Sequence, residues 1–151
     1  MTHKSKALEI LVIEDEYAYC ELIKSGIESG KFRSNIHIIN NGSEAIQFLY
    51  KQGKFKDSPS PDFILLDLYL PGVSGLEILE KVKNDKSLNL CATPVIVLSA
   101  SDNPEEIKKA YNLYANAFVL KSPDVNEFLN KFKIIETFWM DIARLPSDNF
   151  T

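Results

Sequence analysis

Cysteine and histidine are scarce in this sequence. Its 151 residues include two cysteines, Cys20 and Cys91, which lie far apart and form no Cys-x-x-Cys pair. Two isolated thiols give no disulfide framework and are typical of a reduced protein in the cytoplasm. The two histidines, His3 and His37, lack the spacing of metal ligands, so we assign both to structural or solvent-exposed positions.

Excess positive charge and long hydrophobic runs are missing as well. The formal net charge is −4 and the pI is near 5.2. No global basic field is therefore available to attract nucleic acid or an anionic membrane surface. The first ten residues, MTHKSKALEI, contain no long apolar stretch, so we expect neither a signal peptide nor a membrane span. We predict a cytoplasmic protein that contacts neither nucleic acid nor membrane.

Five short apolar runs, in contrast, recur along the chain with helical patterns between them. Strands that alternate with helices predict a parallel sheet with helices on both faces. The central runs are continuously apolar, as burial on both faces requires, whereas the second run alternates and predicts an edge strand. The runs are LEILVI (8–13), NIHIIN (35–40), DFILLD (62–67), PVIVLS (94–99) and AFVLK (117–121).

Polar side chains stand at the carboxyl ends of four of these runs. Glu14, Asp15 and Glu16 follow the first run, Asp67 ends the third, Ser99 ends the fourth and Lys121 ends the fifth. Ligands of open α/β sheets bind outside the carboxyl ends of the strands, so we expect these groups to share one crevice. Each residue alone has an ordinary explanation as a helix cap, a turn or a solvated charge. Their coincidence at four strand ends favours a functional site.

The residue types in this crevice indicate metal-assisted phosphoryl chemistry. Glu14, Asp15 and Asp67 offer hard oxygen ligands, and converging carboxylates repel one another unless a cation joins them. Mg²⁺ suits such a site, because it binds one or two carboxylates and keeps waters that a phosphate can replace. A metal-bound carboxylate can attack a phosphoryl group to form an acyl phosphate. Ser99 and Lys121 would contact the phosphoryl oxygens.

These residues, together with DLYLPGVSG from Asp67 onward, resemble the receiver domain of two-component response regulators over roughly residues 7–135. The resemblance implies a flavodoxin-like, doubly wound sheet of five parallel strands in the order 2-1-3-4-5. It implies that Asp67 accepts a phosphoryl group from a histidine kinase, with Mg²⁺ or Mn²⁺ as cofactor. The protein would then be a phosphoacceptor that catalyses only its own phosphorylation and dephosphorylation, rather than an enzyme.

The same resemblance assigns metal ligands and loop residues. Asp15 would bind the metal directly, Glu14 directly or through water, and Tyr69 through its backbone carbonyl. Gly72 and Gly75 would shape the loop that leads from Asp67 to the next helix.

Switch residues are implied near the last strand. Ser99 and Lys121 would sense the phosphoryl group, and Phe118 matches the switch aromatic that repacks when Ser99 moves. Receivers usually carry proline directly after the lysine, whereas Ser122 precedes Pro123 here. We predict that Ser122 caps the last helix and that Pro123 is its first residue.

The last helical pattern continues for about 20 residues from Val125, or about 30 Å. We divide the chain into an N-terminal tail (1–6), a receiver domain (7–136) and a C-terminal helix extension and tail (137–151). The extension either folds back on its own domain or forms an interface, as large apolar patches do. We predict a homodimer, with an interface that includes Tyr111, Tyr114, Phe138 and Trp139.

The ending ETFW…ARLP and the long loop at 50–61 resemble the stand-alone receivers paired with cyanobacterial phytochrome kinases. We therefore predict a single-domain regulator in light signalling. A haloacid dehalogenase-type hydrolase would need a second aspartate where Tyr69 stands, and a flavodoxin would need a glycine-rich loop where EDEYA stands. The alternative left open is a pseudo-receiver that acts only as a dimerisation or docking module.

Overall fold

Five parallel strands form the centre of the structure, a computed structural model that describes residues 7–30 and 32–146. They pair in the order β2-β1-β3-β4-β5, which confirms the expected flavodoxin-like sheet and the edge position of the second strand. Every residue of the third and fourth strands is buried, as their continuous apolar sequences require. The strands are β1 (Leu8–Ile13), β2 (Ser34–Ile39), β3 (Phe63–Asp67), β4 (Val95–Ser99) and β5 (Ala117–Leu120).

Helices cover both faces of this sheet because successive strand residues point to opposite sides. In β1, Leu11 and Ile13 pack into one apolar cluster, and Ile10 and Val12 pack into the other. The second and third helices lie over the first cluster, and the first and last helices lie over the second. No helix within the described ranges is both long and apolar enough to cross a membrane. The helices are α1 (Tyr17–Glu28), α2 (Gly42–Leu49), α3 (Gly75–Asn84), α4 (Pro104–Asn112) and α5 (Val125–Thr137).

The start of α5 differs from the prediction. Asp124, not Ser122, is the N-cap, and its carboxylate accepts the backbone N–H of Glu127. Ser122 is buried, its carbonyl accepts the hydroxyl of Tyr19, and its own hydroxyl accepts the N–H of Asp124. An Asp-x-x-Glu sequence places two carboxylates at the positive end of the helix, which favours the later start. Pro123 therefore precedes the helix, and the described residues contain no cis peptide bond.

The C-terminal extension is helical, as expected, but its last turn is wider than an α-helix. The α5 helix ends at Thr137 and continues as a π-helical turn over Phe138–Ile142. Met140 and Leu145 are buried in the same cluster as α1 and α5, and Trp139 packs partly against it. One side of the extension therefore packs on its own domain.

The other side of the extension is apolar and open. Ile134, Phe138 and Ile142 are 70%, 46% and 66% exposed, and they line a common groove. One side of the extension thus folds back on its own domain, and the other side presents an apolar surface. That this surface forms an interface stays a prediction. The division of the chain at residue 136 stays a prediction.

Glu136 is a buried carboxyl group in α5, and its burial predicts that the stability of the protein depends on pH. The residue is 7% exposed, and its Oε2 has no hydrogen-bond partner among the described residues. Burial raises the pKa of this carboxyl above its ordinary value of 4.5, and the positive charge of Lys133 only partly opposes the shift. A pKa raised in the folded state gives stability that is complete below the unfolded pKa and is lost as the pH rises through the folded pKa.

We therefore expect Glu136→Gln to raise the free energy of unfolding at neutral pH by about 1 kcal/mol, because it removes a desolvated charge. The gain should increase as the pH rises above the ordinary pKa of 4.5, since only the wild type carries the loss that is due to Glu136, whereas Glu14 titrates in both proteins. Urea denaturation across this pH range measures both effects. A constant difference between wild type and variant would contradict the assignment of a buried, titrating carboxyl.

Candidate functional site

The polar strand ends converge at one edge of the sheet. Glu14 and Asp15 directly follow β1, and Asp67 ends β3, the neighbour of β1. One carboxylate oxygen from each of these three residues lies within 4.8 Å of the other two. Glu14 and Asp67 are buried, whereas Asp15 is exposed. The structure therefore brings together the three carboxylates that the sequence selected and leaves one side of the cluster open to solvent.

Lys121 stands in the middle of this cluster. Its side chain is 1% exposed, and its Nζ lies 2.5 Å from Glu14 Oε1, 3.2 Å from Asp67 Oδ2 and 3.3 Å from Glu16 Oε1. The backbone N–H of Lys121 donates to Ser99 O at 2.8 Å, which ties the end of β5 to the end of β4. The ammonium group has three N–H donors, and three carboxylates surround it.

The charges within this cluster do not balance. Burial raises the pKa of Glu14 from 4.5 to about 7, with Asp67 adding to the shift and Lys121 opposing it. Burial alone would lower the pKa of Lys121, but the carboxylates of Glu14, Asp67 and Glu16 outweigh it and raise that pKa above 10.5. One ammonium therefore cannot neutralise its carboxylate neighbours, and the cluster retains affinity for a proton.

The donor set fits a divalent metal ion. Glu14, Asp15 and Asp67 supply hard oxygen ligands at short mutual distances, which is the ligand type that Mg²⁺ and Mn²⁺ prefer. A second cation would relieve the excess negative charge that raises the pKa of Glu14. The exposed side at Asp15 leaves room for water or a further ligand. Metal binding through the carbonyl of Tyr69 stays a prediction.

The loop after Asp67 folds tightly over the end of its own strand. Tyr69 donates its backbone N–H to Asp67 Oδ1 at 3.1 Å, which holds the carboxylate in place. Gly72 has a φ of +77°, a conformation that favours glycine. A Cβ on Gly75 would lie 2.3 Å from the carbonyl oxygen of Asp67, so any larger residue would push α3 away from the strand. Both glycines therefore shape the loop as predicted.

The residues predicted to form the switch lie on neighbouring strands. Ser99 is completely buried, and its hydroxyl accepts the N–H of Ser101 at 3.2 Å. Phe118 is half-buried against the apolar cluster under α2 and α3. Its N–H donates to the hydroxyl of Tyr111 at 3.1 Å, which links β5 to α4. Phe118 is therefore close to the surface, and a change in its packing would alter the surface near α4.

Three contacts of this site were not predicted from the sequence. Glu16 contacts Lys121, whereas the sequence placed it in the acidic run after the first strand without a specific role. The ring centroid of Tyr19 lies 4.5 Å from Lys121 Nζ, a cation–π geometry. The hydroxyl of Tyr69 donates to the carboxylate of Glu106 on α4, 37 residues away. Only the folding of α1 and α4 against the strand ends creates these pairs.

Comparison with known proteins agrees with this geometry. Residues 10–133, which include every residue of the site, match the response regulator receiver domain. The chain belongs to this family. It is 33% identical over 138 residues to the response regulator Rcp1 of Synechocystis sp., covering 91% of this chain and 92% of that protein. It is 30% identical to the probable methanogenesis regulatory protein FilR2 of Methanothrix harundinacea, covering 91% and 86%.

Two solved receiver structures share the whole fold. The Mn²⁺-bound form of Rcp1 superposes with a TM-score of 0.89 at 32% identity, covering 93% of this chain and 99% of that chain. The phosphorylated cyanobacterial phytochrome response regulator RcpA superposes with a TM-score of 0.90 at 34% identity, covering 94% and 100%. The receiver is therefore a signalling module of a two-component system, and receivers of such systems are phosphorylated by histidine kinases.

Proposed function

We propose that Asp67 is the phosphoacceptor and that Mg²⁺ is the resident cation. The observation that carries this proposal is the orientation of Asp67: the Tyr69 N–H holds Oδ1, and the Lys121 ammonium lies 3.2 Å from Oδ2. Asp67, like Glu14, belongs to the acidic cluster and also contacts the buried lysine. A carboxylate oriented in this way can present an oxygen to an incoming phosphorus atom.

Each remaining residue then acts on charge or position. Glu14, Asp15 and Asp67 would hold the Mg²⁺, which neutralises negative charge on the phosphoryl oxygens when it is bound. Lys121 supplies a second positive charge from the buried side. An oxygen of Asp67 forms the new bond to phosphorus as the bond to the donor group of the kinase breaks. The Ser99 hydroxyl exchanges its contact with Ser101 for the phosphoryl group.

Movement of Ser99 would transmit the signal. Ser99 and Lys121 are joined through the backbone at the ends of β4 and β5, so displacement of one strand end affects the other. Phe118 follows by repacking against the cluster under α2 and α3, which changes the surface where α4 meets β5. The hydrogen bond between the Phe118 N–H and the Tyr111 hydroxyl would be altered by this change.

We further propose a phytochrome-type kinase as the partner. The support is the similarity to RcpA over almost the full length of both chains, together with the loop at 50–61 and the ending ETFW…ARLP. FilR2 matches with nearly the same identity, so the choice of kinase needs a direct test. Phosphotransfer from a purified phytochrome kinase, compared with an unrelated histidine kinase, decides it by the ratio of the two rates.

Metal-dependent phosphorylation tests the central proposal. Incubation with acetyl phosphate and Mg²⁺ is expected to add one phosphoryl group, measured as intact mass. The reason is that a cation bound by the acidic cluster neutralises negative charge on the phosphoryl oxygens. Chelation of the cation should prevent the gain. A folded protein that gains no mass with Mg²⁺ or Mn²⁺ would instead support the docking module that the sequence left open.

We also propose a homodimer formed through the apolar side of the C-terminal extension. Ile134, Phe138 and Ile142 present one continuous apolar side, and a two-fold axis would cover this side on both copies at once. Tyr111 and Tyr114 are exposed at the end of α4 and can extend the contact. Trp139 contributes less than predicted from the sequence, because its ring packs partly against its own domain.

A charge within this apolar side should weaken the dimer. We expect Phe138→Glu to raise the dimer dissociation constant at least about tenfold, since the carboxylate would lose water on association. Sedimentation equilibrium measures the constant. Leu88→Glu is the matched control, because Leu88 is equally exposed at 46% but lies in the connection after α3. Equal dissociation constants for wild type and Phe138→Glu would place the interface elsewhere.

A further inference from the structure

A second polar cleft lies between the C-terminal end of α1 and the last turns of α5. Its volume is about 270 Å³. The α1 helix starts next to the acidic cluster and has 12 residues, so this cleft lies about 18 Å further along the helix axis. The cleft is therefore separate from the proposed phosphoacceptor site, and none of its lining residues takes part in that site.

Glu136 is the buried charged group of this cleft. It is 7% exposed, and its Oε2 has no hydrogen-bond partner in the part of the chain that the structure describes. None of the lysines and arginines in the described ranges forms an ion pair with it. A buried carboxylate with an unpartnered oxygen is costly, and buried charges in proteins are normally paired. The cleft thus contains a hydrogen-bond acceptor, Glu136 Oε2, for which the described residues supply no donor.

The neighbouring backbone packs closely against this carboxylate, and the end of α1 favours a cation there. A Cβ on Gly30 would lie 2.9 Å from Glu136 Oε2 and 3.0 Å from Oε1, so any residue larger than glycine would crowd both oxygens. Gly30 directly follows the C-cap of α1, Ser29. The negative end of the α1 dipole therefore faces the same space, where it repels a carboxylate and attracts a positive charge.

The walls of the cleft distinguish between kinds of cation. Ca²⁺ needs six to eight oxygen ligands, and Glu136 is the only carboxylate among the described residues that line this cleft. Leu129 and Phe132 give the cleft an apolar wall, whereas Ser29 and Asn130 add two neutral acceptors. One carboxylate, two neutral acceptors and an apolar wall match the three N–H donors and the methylene chain of an alkylammonium group.

We propose that this cleft binds an aliphatic primary ammonium group, carried either by a small alkylamine or by a lysine side chain of a partner protein. The ammonium pairs with Glu136, and its methylene groups contact Leu129 and Phe132. Lys133 also lines the cleft, is exposed and forms no ion pair with Glu136 within 4.0 Å, so its charge opposes the ligand. Removal of that charge should strengthen binding, whereas removal of the Glu136 charge should abolish it.

The test is a titration of the full chain, saturated with Mg²⁺, with n-butylammonium while the backbone amides of Ser29 and Gly30 are followed by NMR. We expect saturable shifts at these amides, with n-butanol giving none. Glu136→Gln should weaken binding about tenfold or more, and Lys133→Gln should tighten it. A second titration with Nα-acetyl-lysine N-methylamide separates the two sources: tighter binding than n-butylammonium assigns a partner lysine, and equal or weaker binding assigns a free amine.

Three outcomes would overturn the proposal. The first is the absence of saturable shifts, and the second is equal affinity in wild type and Glu136→Gln. If Glu136→Gln does not fold, Gly30→Ala replaces it, because the added methyl group would crowd the carboxylate. The third is binding that appears only after Lys31→Met, which would mean that the chain supplies its own ammonium from Lys31, a residue outside the described ranges.

Discussion

Replacing Asp67 with asparagine is expected to abolish phosphoryl uptake from acetyl phosphate while the protein stays folded. The amide has nearly the shape of the carboxylate and can still accept the N–H of Tyr69, but it lacks the charge of a nucleophile. The loss of one negative charge should also lower the pKa of Glu14, since Asp67 contributes to its upward shift. Intact mass after incubation with acetyl phosphate and Mg²⁺ measures the uptake.

A matched aspartate controls this experiment. Asp57 is exposed in the loop between α2 and β3, and Asp57→Asn removes the same charge without touching the acidic cluster. It should gain one phosphoryl group as the wild type does. A mass gain that persists in Asp67→Asn would show that another residue accepts the phosphoryl group, and the role proposed for Asp67 would be wrong.

Replacement of Lys121 by methionine should cause the largest loss of stability in the metal-free protein. Methionine keeps most of the length of the side chain but leaves Glu14 and Asp67 buried without their shared cation. Removal of one partner of a buried ion pair costs about 3–5 kcal/mol. The loss should be largest above pH 7, where Glu14 is ionised, and smaller near pH 5, where a proton on Glu14 replaces the missing charge.

The effect of Mg²⁺ on the stability of Lys121→Met provides a second test of the buried ammonium. If the carboxylates hold a cation, saturating Mg²⁺ should restore part of the stability that Lys121→Met loses, because the metal supplies the missing positive charge. Urea denaturation with and without Mg²⁺ measures this rescue. Lys24→Met, on the exposed side of α1, should change stability little in either condition. A Lys121→Met protein as stable as Lys24→Met would contradict the role of the buried ammonium.

The fold was predictable because its signals are local and repeated. Each apolar run is too short for a helix of average length and has a helical pattern after it, so the chain is an alternation of strands and helices. Ligands of such sheets bind at the carboxyl ends of the strands. This rule predicted that Glu14, Asp67 and Lys121 lie close together, although up to 107 residues separate them in the sequence. The structure places all three within one cluster.

The start of α5 was not predictable in the same way. Ser122 and Asp124 are both good N-caps, and local preference alone does not choose between them. Burial decides the choice: Ser122 lies against α1 and accepts the Tyr19 hydroxyl, so the chain has to pass it before the helix begins. Tertiary packing also makes Tyr19 of α1 a neighbour of the Lys121 ammonium, although the two residues are 102 positions apart.

The sequence by itself determined the order of the elements, the identity of the acidic site and the apolar character of the C-terminal extension. Those properties depend on residue type and on spacing along the chain, which the sequence states directly. Only the tertiary structure decided which side of the extension packs on the domain and which side stays open. It also left Glu136 Oε2 buried without a hydrogen-bond partner among the described residues. That result depends on how closely the end of α1 approaches α5 at Gly30, a distance that no local pattern encodes.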